Sequence, residues 1–148
     1  MIDDRLFTRF PKPDVILGQH LMSIPAGTIG SRSGAMTSAG DSLRVTLFGR
    51  GGRVVDAFRG YFPGDAVVET KPSMASEDFG SFGTEWHVPS VFWFVGGIDR
   101  QLFAKAEAEG RTNEIPTNHN PRFAPVLEPT LQTGVESMVT AAQAWLHS

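Results

Sequence analysis

Five bulky side chains in a row, Val91-Phe92-Trp93-Phe94-Val95, bounded by Pro89 and by Gly96-Gly97, restrict this chain more than any other segment. In an extended strand successive side chains point to opposite faces, so both faces of this run are apolar. Such a strand belongs in the interior of a sheet covered on both sides. The run is also far below the ~20 apolar residues needed to span a bilayer. The rest of the chain has to supply its neighbours and its cover.

Neighbouring strands are predicted at Val15 to Leu17, short and buried, at Gly27 to Arg32, at Ser42 to Phe48, and at Val67 to Glu69. In the third of these, Leu43, Val45 and Leu47 alternate with Arg44 and Thr46, the period-two pattern of a half-buried strand. The cover comes from helices. Asp3 to Phe10 has room for one helical turn before Pro11 and Pro13 stop it. From Arg53 the period changes, and Val54, Val55, Phe58, Tyr61 and Phe62 share a helical face up to Pro63-Gly64. Ser76-Glu77-Asp78 reads as a helix entry, with a hydroxyl to cap the first amides and two acids at the positive end of the dipole. Lys105 to Gly110 is a short exposed helix in a polar stretch. Pro129 to Leu146 closes the chain as a helix whose stripe of Leu131, Val135, Met138, Val139, Ala142 and Trp145 or Leu146 is expected to pack on the sheet. Strands alternating with helices predict an α/β fold, a mixed or mostly parallel sheet packed with helices.

The 148 residues suit one domain, which buries roughly 70% of the surface its unfolded chain exposes. With 13 Lys+Arg against 16 Asp+Glu, a net charge of −3 and no basic run, neither nucleic acid nor a membrane surface is an expected partner. The start, Met1-Ile2-Asp3-Asp4-Arg5, lacks the pattern of a secretory leader, so the expected location is cytoplasmic. No cysteine is present, so a metal site must draw on His, Asp or Glu.

Four histidines qualify. His20 follows the predicted strand Val15 to Leu17, and ligand sites in α/β folds lie at the carboxyl ends of strands. His119 lies in a polar loop, Pro116-Thr117-Asn118-His119-Asn120-Pro121-Arg122-Phe123, just before the last helix. His87 and His147 read as solvated surface residues, and both favoured histidines have the same bland reading. No His-Glu-x-x-His motif occurs, and Gly49 to Gly52 matches neither a Walker loop nor a dinucleotide fingerprint. Glu77 and Asp78 are adjacent on a helix and point in different directions, so they form no automatic acid/base pair.

Taken in order, four segments resemble one family. They are Pro13 to His20 with Pro25-Ala26-Gly27-Thr28-Ile29-Gly30; Phe48-Gly49-Arg50-Gly51-Gly52; Ser76-Glu77-Asp78-Phe79; and Asn118-His119-Asn120-Pro121-Arg122-Phe123. The family is the amidohydrolases of the hippurate hydrolase and indole-acetyl-amino-acid hydrolase type, in the co-catalytic metallocarboxypeptidase superfamily. The resemblance implies hydrolysis of N-acyl amino acids or related small amides, with divalent metal (zinc, manganese, cobalt or nickel) activating water. It implies metal-ligand roles for His20 and His119. Glu77, Asp78, Asn118 and Arg122 become pocket residues that support them.

The resemblance also implies missing parts. The family's Cys-Gly-His-Asp-like metal segment and its following Glu-Glu pair have no counterpart here, which accounts for the absent cysteine. Where the family's Gly-Arg-Gly-Gly-His motif leads into a lid and dimerisation domain, Gly52 is followed by Arg53, as though the lid were excised near residues 52–53. Residues 1–148 are therefore expected to form a single partial catalytic domain, inactive alone, with no residue assigned a catalytic role. A complementing fragment is one expected partner. The alternative expectation is a non-catalytic scaffold, a homo-oligomer joined through bare sheet edges.

Overall fold

A computed structural model describes residues 4–32, 51–70 and 79–146. The predicted strand Ser42 to Phe48, Gly49-Arg50, the helix entry at Ser76-Glu77-Asp78 and His147 lie outside the described residues; of Gly49 to Gly52, which read as a tight turn, Gly51 and Gly52 instead open a helix. The described elements run, in order, α1 (Leu6–Arg9), β1 (Ile16–Pro25), β2 (Ile29–Ser31), α2 (Gly51–Tyr61), β3 (Val67–Glu69), α3 (Phe79–Trp86), β4 (Ser90–Ile98), α4 (Arg100–Ala108), a single 3-10 turn (Thr112–Glu114) and α5 (Thr130–Leu146). The architecture is α/β, with four strands in the order β1-β4-β2-β3. β4 pairs in parallel with β1 and antiparallel with β2, while β2 and β3 are parallel, so the sheet is mixed and mostly parallel. No helix among the described residues is long and apolar enough to cross a membrane.

The apolar run occupies the interior of the sheet, as its two apolar faces require. Val91, Trp93 and Val95 point to one side, into a core shared with Val54, Phe58 and Phe62 of α2 and its last turn, and with Ala141 of α5. The Trp93 indole meets Phe58 edge-on at 5.2 Å, and Phe58 meets Phe62 the same way at 6.1 Å. On the opposite side Phe92 packs against Phe79 of α3, ring centroids 5.1 Å apart.

Three expectations need correction. β1 is neither short nor buried: it spans ten residues to Pro25, and every residue in it is half-buried or exposed. The reason lies in β4, which does not end at Val95. Gly96 and Gly97 continue the strand to Ile98, and Gly96 serves a close approach rather than a stop, since a Cβ there would fall 1.9 Å from the Pro25 carbonyl oxygen. α4 begins at Arg100, five residues before the predicted start at Lys105. Asp99 caps it, its Oδ1 accepting from the amides of Gln101 and Leu102 at 3.0 and 2.9 Å.

The third correction concerns α5, which is where the sequence places it but is turned the other way. Leu131, Val135, Val139 and Leu146 of the predicted stripe are exposed, and the residues buried on the sheet are Thr133, Ser137, Thr140 and Ala141. Thr133, Ser137 and Ala141 recur every four residues, so small side chains let the helix approach the sheet closely. Their hydroxyls are accommodated by hydrogen bonds: Thr133 donates to the Pro129 carbonyl at 2.8 Å, and Ser137 accepts from the Trp93 indole N–H at 3.2 Å and donates to Gln19 Oε1 at 3.0 Å. Met138 and Trp145 remain half-buried against the core.

Candidate functional site

His20 lies in the middle of β1, in register with Phe94 of β4, rather than beyond a strand's carboxyl end. Side chains alternate along the strand, so Gln19 and Leu21 share the face that meets α5, while Gly18 and His20 share the face of α3. Gly18 is confined there by the ring of Phe79, which a Cβ would strike at 2.5 Å. Among the described strands β1 lies at the edge of the sheet, and its side away from β4 is where the loop before α5 arrives.

The loop is anchored by a few polar contacts. Ser23 Oγ donates to the Pro116 carbonyl at 3.2 Å and approaches Asn118 Oδ1 at 3.5 Å. The Asn118 carboxamide donates to the Leu21 carbonyl and sits 3.1 Å from His20 Nδ1. Residues 117–120 then form a tight turn, with the Asn120 amide donating to the Thr117 carbonyl at 3.0 Å and His119 in the left-handed region at φ 69°. Asn120 Oδ1 in turn accepts from the Arg122 amide at 2.9 Å.

His20 Nδ1 is 2.7 Å from the Leu21 carbonyl oxygen. That oxygen only accepts and calls for a proton on Nδ1, whereas the Asn118 Nδ2 group 3.1 Å from the same nitrogen only donates and calls for its lone pair, so the two contacts require opposite tautomers. In the tautomer that bonds Leu21 O, Nε2 keeps its lone pair, the form in which an imidazole binds a divalent cation.

The structure thus brings His20 and Asn118 into contact and places His119 next to Asn118, exposed at the tip of the turn. Arg122 is exposed and, among the described residues, takes no hydrogen bond at the His20–Asn118 contact. Glu77 and Asp78 lie outside the described residues. Arg53, where the resembled motif continues with His, is engaged with α5: its guanidinium lies 5.7 Å from the Trp145 ring centroid. His87 is exposed at φ 51° and ends α3, its amide donating to Thr84 and that of Val88 to Gly83, the capping position that glycine usually fills. Sequence reasoning missed Ser23 and the Leu21 carbonyl; a serine three residues from His20 was a visible signal, a backbone oxygen was not.

His20 therefore fits a metal as one ligand. Among the described residues, however, no three His, Asp, Glu or Cys side chains gather where a metal ion could be held. Two imidazoles fall short of the four ligands of an ordinary zinc site. A scan against protein-family models finds no match to this chain.

Proposed function

We propose that this chain is an amidohydrolase-type, metal-dependent domain, with a parent activity of hydrolysing N-acyl amino acids or related small amides. His20 and His119 are its metal-binding imidazoles. The observation that supports this reading best is the contact between Asn118 and His20, which joins two of the resembling segments across 98 positions of sequence. A divalent metal bound there would supply a Lewis acid and an activated water. The chain's own residues do the positioning: Leu21 O and Asn118 both meet His20 at Nδ1, Asn118 and Ser23 hold the loop against β1, and the turn at 117–120 carries His119. Amide hydrolysis also needs a base for the water and donors for the oxyanion. Among the described residues no hydrogen bond joins a carboxylate to His20 or Asn118, and on this reading the chain does not turn over substrate alone.

Calorimetric titration with zinc, alongside an assay of N-acyl amino acid hydrolysis with added zinc, manganese or cobalt, tests both parts. Binding is expected for the native chain and lost in both His20→Ala and His119→Ala, without measurable turnover. Absence of binding, or its loss in only one variant, removes the shared site. Robust turnover that disappears in His20→Ala removes the claim of inactivity.

A further inference from the structure

We draw no further inference here: the strongest candidate, the apolar groove between β1 and the exposed Leu131, Val135 and Val139 of α5, carries nothing because nothing in the structure shows what covers it.

Discussion

β4 and β1 lie side by side in one sheet, paired from Ile16 opposite Ser90 to Pro25 opposite Ile98 with a register shift after Met22, yet they live in different surroundings. In β4, Trp93, Phe94 and Val95 are 1%, 4% and 3% exposed; in β1, which carries Ile16, Leu17, Leu21, Met22 and Ile24, no residue is fully buried. Apolar content does not separate the strands. The number of strand neighbours does: helices lie over both strands, but β4 has β1 and β2 beside it, whereas among the described residues β1 has one strand and a polar loop. The same contrast divides α5, whose small polar face is buried and whose branched apolar face is not.

Truncating matched side chains is the strongest way to break this comparison. Trp93→Ala is expected to cost about 3–5 kcal/mol in urea unfolding, and Leu21→Ala less than half of that. Equal costs would mean that the edge is as enclosed as the interior. Next in size comes the contact between the strands themselves. Gly96→Ala forces a Cβ against the Pro25 carbonyl and should cost about 3 kcal/mol or more, because neither backbone can yield without opening the β1–β4 pairing. Gly64→Ala, with open space around it, should stay within about 0.5 kcal/mol. A mild effect at Gly96 would place the register shift elsewhere.

Smaller effects test the two faces of α5. Ser137→Ala leaves the Trp93 indole N–H and Gln19 Oε1 without their shared partner, an expected loss of about 1–3 kcal/mol. Val135→Ser, on the exposed face, should change stability by no more than about 0.5 kcal/mol. The reverse order would restore the orientation that the helical periodicity predicts. The smallest effect lies at the surface beyond α4. Hydrogen bonding to Arg111, with Nη2 at 2.6 Å from Oε2, holds the Glu114 carboxyl below its ordinary range. A lowered carboxyl stabilises the fold above the ordinary carboxylate range, and the contribution is lost as pH falls through the folded value. Both groups are exposed, so little stability rides on it. Arg111→Met should return the Glu114 midpoint to its ordinary value in a carbon-detected NMR titration; an unmoved midpoint would separate the pair.

What sequence could and could not reveal follows the range of the interactions. The interior strand, the helix from Arg53 and the strand at Val67 were legible because their patterns involve residues within one or two turns. β4 was cut short because Gly96-Gly97 looks like a stop, when the pair instead extends the strand past the carbonyls of Ile24 and Pro25, and with it the partner β1 beyond the Val15 to Leu17 read from sequence. α4 was missed at its start although Asp99 is a good cap, since the polar stretch lacks an apolar stripe to draw attention to it. In the candidate site, His20, Asn118 and His119 were named in advance. The contacts at His20 Nδ1 were not, because one of them is the Leu21 carbonyl, a group that every residue carries.

The amino-acid sequence by itself determined an α/β class, the kinds of donor on hand and the exclusion of any thiolate chemistry, since these depend on composition and local period. Only the tertiary structure decided that His20 sits mid-strand at a sheet edge beside Asn118, and that α5 lays Thr133, Ser137 and Ala141 on the sheet. Periodicity marks an apolar face but not what lies opposite it. What lies opposite is the Trp93 indole, 44 positions away, whose N–H donates to Ser137 on the buried face, a partner that no helical period reveals.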